Sequence, residues 1–459
     1  MSQQKLQIPE KVKIIIAGLN AHGYEAYAVG GCVRDALLGR DPKDWDITTS
    51  AKPEQVKEIF HRTIDTGIRH GTVTVMLDKE GFEVTTYRID GKYEDSRHPE
   101  SVEFTSNLLE DLKRRDFTIN AMAYNEEKGI IDAFEGVQDL ERGIIRCVGN
   151  PIERFEEDAL RMLRAIRFSG QLGFIIEEGT RNAIEKKAET IAKISAERIR
   201  EEIDKLLVSP YPEKIKDAYE MGITKVVLPE LDIMFETDQD NPHHCFNVGD
   251  HCVRTLQEMQ KEAREQQMEE KAYHALCWTA LLHDIAKPET KKVDENGIGH
   301  FIMHPEIGAK KTEEVLKRLK FDNDTIEMVS HLTRWHDYHF SLKRNSMRRA
   351  IHKIGSQWMP YIFIMQKADR RAQSEYQQEE KLENIKQAEL LYEEVKNAGE
   401  CTSLKMLKIN GKDLLELGCT PGKIIGATLN SLLEKVLENP ELNEKDVLLE
   451  MAKKQLEEQ

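Results

Sequence analysis

With 459 residues, 39% of them hydrophobic and 32% charged, the chain has room for about three globular domains at roughly 100–200 residues each, and its composition is that of a soluble protein. No apolar run approaches the ~20 residues that span a bilayer. The start, Met1-Ser2-Gln3-Gln4-Lys5, lacks a signal-like apolar core, and seven scattered cysteines without a Cys-x-x-Cys pair fit a reducing cytoplasm. A net charge of −16 argues against a generic nucleic-acid coat, because the phosphate backbone attracts Lys and Arg, but it leaves room for a local basic groove.

The first predicted element is a helix over 9–22, with Val12, Ile15, Ile16 and Leu19 at helical spacing and Gly23 to end it. A strand, Tyr27-Ala28-Val29, then breaks into Gly30-Gly31. Val33, Leu37 and Leu38 predict a helix next, so the glycines stand at a helix N-terminus where backbone N–H groups face an anion, and Arg34 adds charge. Asp44-Trp45-Asp46 follows. In a strand running on through Ile47-Thr48-Thr49, Asp44 and Asp46 share a face and repel unless a cation lies between them; a hard divalent ion such as magnesium suits such oxygen ligands and leaves positions for phosphates. A helix over 52–60 opens on Pro53. Two strands, 72–77 and 82–87, are joined by a turn at 78–81, and Glu83 on the second is a candidate third carboxylate. Together these residues read as a triphosphate and metal site.

Residues 88–106 are polar and aperiodic and read as a mobile loop. After them Arg114 and Arg115 are read as entering a helix, where their guanidinium forks suit triphosphate oxygens. From Ile152 the chain becomes helical almost to its end. Over 157–167 one face is apolar (Leu160, Leu163, Ile166), while Asp158, Arg161, Arg164 and Arg167 form a polar row at three-residue steps. A further helix starts near Ile194, with Ser195 as cap and Arg198 three residues on.

Gly30 to Asp35, Asp44-Trp45-Asp46, Arg114 to Ala121, Glu157 to Arg161 and the Ile194 helix, in this order and spacing, resemble the bacterial and eukaryotic (class II) CCA-adding tRNA nucleotidyltransferases and the related bacterial poly(A) polymerases, of the polymerase-β-like nucleotidyltransferase superfamily. The likeness is dense over 10–208 and resumes at 409–418 and at Pro421-Gly422-Lys423. It implies that Asp44 and Asp46 are catalytic and hold magnesium (Mg2+); Glu83, by its strand position, is either a third catalytic carboxylate beside them or an exposed strand residue. It implies that Gly30, Gly31, Arg34 and Asn120 meet the incoming nucleotide and Arg115 its phosphates. Asp158 and Arg161 would pair with the base edge of CTP or ATP, and Arg164 and Arg167 would support that helix and contact nucleotide or RNA. The loop matching 88–106, needed in relatives for the switch to ATP, looks complete here.

A second constellation runs from His251 through His283-Asp284, His304 and His336 to Asp369. An adjacent His-Asp pair ending an apolar helix, with outlying His and Asp in order, resembles the HD superfamily of metal-dependent phosphohydrolases. That resemblance implies one metal held by His251, His283, Asp284 and Asp369, a second near His304 and His336, and Lys287 against a phosphate. Imidazole with carboxylate suits manganese, nickel, iron or zinc better than magnesium. The charged helix over 374–396 reads as a connector without chemistry. Residues 404–459 read as a small helical domain whose Lys408, Lys412 and Lys423 are candidates for tRNA phosphates.

The expected fold is α+β: a nucleotidyltransferase head with a small mixed sheet (1–146), a helical neck with the base-selecting helix (147–235), an HD domain (236–372) and a helical tRNA-binding C-terminal region (373–459). The expected activity is magnesium-dependent, template-independent addition of C, C and A to the 3′ acceptor end of tRNA from CTP and ATP, releasing pyrophosphate, in the cytoplasm. No membrane partner is expected, and the sequence leaves the oligomeric state open. Two rivals stand beside this: an A-adding-only enzyme, which shares every head motif, and an HD phosphohydrolase as the main activity.

Overall fold

The computed structural model describes residues 5–91, 102–240, 245–420 and 422–457. The central part of the expected loop, 92–101, and Pro421 lie outside the described residues. The chain forms two compact units, Met1–Asp232 and Ile233–Gln459. The fold is α+β, as expected, with the large sheet in the first unit; the parts after the head, expected to be all helical, also contain short strand pairs, Ile144–Ile145 with Ile175–Ile176 and, in the second unit, Lys291–Val293 with Gly299–Phe301.

The first unit begins with α1 (Glu10–Ala21), β1 (Ala26–Val29), α2 (Gly31–Leu37), β2 (Ile47–Thr49) and α3 (Pro53–Ile59). β3 (Thr63–Gly67), β4 (Thr72–Leu77) and β5 (Glu80–Thr86) follow, then β6 (Arg88–Asp90) and β7 (Val102–Phe104). Next come α4 (Leu108–Lys113), β8 (Met122–Asn125), β9 (Gly129–Asp132) and α5 (Gly136–Arg142). The seven-stranded sheet has the order β3-β4-β5-β2-β1-β8-β9. Its β2–β5 pair is parallel and its other pairs are antiparallel. β1 lies inside the sheet and is buried on both sides. Ala26 and Ala28 join the main core with Val12, Ile15, Ile16 and Leu19 of α1, while Tyr27 and Val29 join a smaller cluster with Tyr87, Leu108 and Leu112. A strand buried on both faces shows no polar alternation, which is why β1 reads as a plain apolar run.

The β4–β5 turn is tighter than expected. Asp78 and Lys79 both take left-handed backbone (φ 48° and 73°), the pattern of a two-residue hairpin turn, so Glu80 and Gly81 already belong to β5. The ends of the expected loop are ordered as a ribbon, with Arg88 opposite Phe104 and Asp90 opposite Val102.

Helices α6 (Pro151–Glu157), α7 (Leu160–Leu172), α8 (Glu178–Lys187) and α9 (Ala196–Leu207) complete the main elements of the first unit. Leu160, Leu163 and Ile166 are buried, as their spacing requires. Asp158, however, is not on the helix that carries Arg161. It ends α6 in extended backbone (φ −144°, ψ 106°), and its carboxylate accepts from Leu160 N at 3.0 Å. An Asp side chain that takes over a helix-start N–H competes with helix continuation, which splits the expected single helix in two. Ser195 does occupy the position before α9, but its hydroxyl makes no capping hydrogen bond.

In the second unit, His251 lies on the helix Val248–Arg264 and His283 directly follows Glu270–Leu282. His304 opens the helix His304–Arg318, His336 directly follows Asn323–Trp335, and Asp369 lies on Met359–Ala372. The expected connector is the helix Gln378–Asn397. The last helices, Gly411–Glu416, Lys423–Glu438 and Lys445–Glu457, close around Leu414, Leu432, Leu433, Val436 and Leu448. Lys408 is paired with Glu444 at 2.6 Å. Among the described residues no helix is long and apolar enough to cross a membrane.

Candidate active site and a second ligand cluster

The sheet register assembles the first site. Antiparallel pairing sets Ala28 opposite Ile47, and Asp46 O accepts from Val29 N at 3.0 Å, so the chain leaving β1 at Gly30 meets the chain arriving at β2. Asp44 and Asp46 lie just before β2 rather than inside it. The backbone still alternates: Asp44 and Asp46 are exposed and Trp45 between them is buried. Parallel pairing sets Ile47 level with Val84, which brings Asp46 level with Glu83. Ile47 and Val84 both enter the main core, so Asp46 and Glu83, one step earlier on each strand, turn together to the opposite face.

Asp46 keeps some exposed surface, yet the protein packed around its carboxylate raises its pKa. Arg115 works the other way, and Glu83 and Asp44 add to the rise. A carboxylate set beside two others calls for a cation, and an all-oxygen set open to solvent fits a hard divalent ion such as magnesium.

Gly30 caps α2 with φ 83°, and a side chain there would meet Arg115 Nη1 at 3.0 Å, so the glycine both makes the turn and lets the guanidinium lie against it. Arg115 thus stands at the start of α2. It does not enter a helix, as the sequence suggested; α4 ends at Lys113, just before the two arginines. Both are held by Asp111, a fully buried residue that the sequence reading passed over. Its Oδ1 accepts from Arg114 Nε and Nη2 at 3.0 and 2.8 Å and from Arg88 N at 3.4 Å. Its Oδ2 accepts from Arg115 Nη2 at 3.3 Å and Thr48 Oγ1 at 3.2 Å. Burial pushes the Asp111 pKa up, but Arg114 and Arg115 outweigh that and hold it below the usual carboxylate range. The spacing of Asp111 to Arg114 and Arg115, three and four residues, was the available signal.

Arg34 is buried and committed. It donates to both Asp35 oxygens at 2.9 and 3.0 Å and to Asn120 Oδ1 at 2.7 Å, and it lies 5.0 Å from the Phe168 ring centre. Arg164 and Arg167 flank the same ring, at 5.4 and 4.1 Å. Arg164 Nε donates to Asp116 at 2.9 Å, and Arg167 pairs with Glu202 at 2.6 Å. Burial raises the Asp116 pKa, but Arg164 prevails and lowers it to about 2. Arg164 and Arg167 therefore fix the helix before anything else. Asp158 and Arg161 are anchored from behind, not to each other: Asp158 Oδ2 to Arg198 at 2.8 Å, Arg161 Nη1 to Glu157 at 2.6 Å.

The second unit gathers its six predicted residues. His251, His283 and Asp369 form one set whose ligand atoms lie within 4.8 Å of one another, and Asp284, His304 and His336 form another. Asp284 faces both: Oδ2 is 3.2 Å from His283 Nε2 and 3.5 Å from His251 Nε2, and Oδ1 is 3.4 and 3.6 Å from His304 and His336 Nε2. His283, His304 and His336 direct Nδ1 at the carbonyls of Ala280, Phe301 and Thr333, at 2.9, 2.7 and 2.6 Å. A carbonyl partner keeps a proton on Nδ1 and turns Nε2 inward, the nitrogen a metal takes when it displaces any second proton. His304 and His336 Nε2 then face each other at 3.3 Å, a contact between lone pairs that a cation relieves. Burial opposes charge on Asp284, yet His283 and Lys287 hold its pKa well below the usual range; burial likewise opposes Asp369, where Arg370 and His251 prevail. Lys287 Nζ lies 2.7 Å from Asp284. Sequence reading missed Gln373, whose amide donates to both Asp369 oxygens at 3.1 and 3.2 Å, and Gln366, which donates to His336 O at 2.9 Å. A bare Gln, in a helix (Gln366) or just after one (Gln373), carries no signal of such a role.

Three stretches of the chain match known families. Residues 26–146 match the poly A polymerase head domain, 173–234 the probable RNA and SrmB-binding site of polymerase A, and 289–452 a tRNA nucleotidyltransferase domain 2. The CCA-adding enzyme of Ligilactobacillus salivarius is 36% identical, over 98% of each chain. That of Enterococcus faecalis is 37% identical, over 96% of this chain and 95% of its own. Among solved structures, the Bacillus stearothermophilus CCA-adding enzyme in complex with CTP superposes with a TM-score of 0.68 at 29% identity, over 98% of both chains. Near full-length identity above 30%, together with the head geometry, makes the chain a member of the CCA-adding enzyme family of nucleotidyltransferases.

Proposed function

We propose that the protein adds C, C and A to the 3′ end of tRNA, using CTP and ATP in the cytoplasm, and that the work divides among a head (1–146), a neck (147–235), a metal-binding middle (236–372) and a tRNA-binding C-terminal region (373–459). The observation that carries this reading is the common face of Asp46 and Glu83, with Asp44 beside them and Arg115 at the start of α2. Asp44 and Asp46 hold magnesium, with Glu83 as third carboxylate; the bound ion supplies Lewis-acid activation of the primer hydroxyl and charge neutralisation on the leaving group. Gly30 and Gly31 admit the triphosphate close to the backbone, and Arg115 donates to its oxygens. Arg34 and Asn120, bonded to each other, shape the nucleotide pocket floor, and Arg164 and Arg167 brace the α7 segment. The RNA 3′ oxygen forms a bond to the α-phosphorus as the bond to pyrophosphate breaks. Asp158 accepts from the exocyclic amino group that cytosine and adenine share, and Arg161 donates to cytosine N3 and O2 or adenine N1. Asp44→Ala and Asp46→Ala are each expected to abolish incorporation with the fold intact; near-normal incorporation by either, with magnesium, rejects the site.

A second reading concerns the second unit. The convergence of six His and Asp ligands with inward Nε2 atoms favours a centre for manganese, nickel, iron or zinc that supports an HD-type phosphohydrolase activity. Elemental analysis after metal loading tests it: a wild type that retains no transition metal contradicts the centre.

A further inference from the structure

Beside the second cluster lies a cavity of about 470 Å³, large enough for a nucleotide-sized ligand. Its charged lining is balanced: Asp284, Asp337 and Asp369 against Lys287, Arg370 and Lys381. Any divalent ion on the aspartates leaves this lining net positive, so the loaded cavity calls for an anion. The cations also stand in order. Lys287 is on Asp284, 2.7 Å away, and Arg370 is 3.5 Å from Asp369 and 3.1 Å from Asp337. Arg370 gives single hydrogen bonds to Asp337 and Gln373, which leaves donors of its guanidinium for a ligand. Lys381 comes from the helix Gln378–Asn397, the connector to which the sequence assigns no chemistry. Burial and Arg370 lower its pKa, against the opposing pull of Asp369, Asp337 and Glu380. It adds a third cation to the lining beside Lys287 and Arg370.

Resting on the reading of the cluster as a metal centre, we propose that Arg370 and Lys381 form an anion subsite in this cavity, which receives the phosphoryl group of a phosphoester beside the metal-holding residues. The test uses the full chain loaded with manganese, with inorganic phosphate as probe and binding followed by calorimetry. Phosphate sites elsewhere on the protein are subtracted with a His283→Ala/Asp284→Ala variant, since only the component it lacks belongs to this cavity. Lys381→Ala is expected to weaken that component ~10-fold or more, the worth of one charge-assisted hydrogen bond, and Lys381→Arg to restore most of it. Manganese content is measured on every variant and stays at the wild-type value in both Lys381 variants. Unchanged phosphate affinity in Lys381→Ala, with full manganese, overturns the subsite. A wild type that holds no manganese instead removes the metal reading beneath it, so the two failures are told apart.

Discussion

Asp111 touches four elements of the first site at once: the strand that follows Asp46, the base of the ribbon at Arg88, and both arginines after α4. It is a positioning residue, acting through Arg115. Asp111→Asn keeps one acceptor oxygen, for Thr48 or Arg88 but not both, and loses the charge that holds the guanidinium. The expected result is a KM for CTP and ATP raised about 10-fold, with kcat changed less. A purely structural role would lower the active fraction, and so kcat, at constant KM. Asp116 gives a prediction in pH. Its folded pKa, about 2, lies below the ordinary value of 3.8, so its pair with Arg164 stabilises the fold above the ordinary value and loses that effect as pH falls toward 2. The contribution is up to about 2 kcal/mol. The difference in melting temperature between wild type and Asp116→Asn is expected to be constant from neutral pH down to about pH 5 and to shrink below about pH 4; a difference that grows on acidification contradicts the assignment.

Elements explain what the sequence revealed and what it hid. α1, α3, β4 and β5 were legible because each has one apolar face. β3 was not: in Thr63–Gly67 the central residues are exposed and offer no apolar alternation. β8 is buried throughout, so Met122–Asn125 is too short and too uniform to announce a strand. The break at Asp158 was hidden because Leu160, Leu163 and Ile166 carry helical spacing up to it, while the side-chain bond to Leu160 N that ends α6 is not a property of spacing. The break also frees Asp158 from a helical row and lets Arg198 hold it from α9. Asp158 and Arg161, three residues apart, have two separate side-chain anchors, Arg198 and Glu157. Asp158→Ala is therefore expected to leave incorporation working and to cut the preference for CTP and ATP over UTP and GTP by about 5-fold or more, at roughly 1–3 kcal/mol per bidentate base contact. Single-nucleotide incorporation efficiencies for all four nucleotides on matched primers decide it; an unchanged ratio removes Asp158 from base selection.

At the scale of the whole molecule, the carboxylates of the head and the His-Asp cluster lie in different compact units and have different donor sets, oxygen in one and mixed imidazole and carboxylate in the other. Their ligands were legible in the sequence because adjacent or closely spaced residues, Asp44 with Asp46 and His283 with Asp284, carry each signal. Gln366 reaches His336 only because the fold brings distant segments together, whereas Asp111 and Gln373 act on residues three or four positions away, a spacing too common to mark a site. Separate chemistry predicts separable loss: His283→Ala/Asp284→Ala is expected to abolish transition-metal retention and any manganese- or nickel-dependent hydrolysis of 2′,3′-cyclic AMP while nucleotide addition stays within about 2-fold of wild type, since the two residue sets belong to different compact units. Loss of nucleotide addition in a folded double variant would show that the two centres are one machine. The most direct test of the central claim is to give the purified protein, with magnesium, CTP and ATP, three matched tRNAs lacking the last three, two or one 3′ nucleotides, and to weigh the products. The account predicts that all three converge on one mass, that of the tRNA ending in CCA; extension of only the tRNA that already ends in CC would contradict it and make the protein an A-adding enzyme.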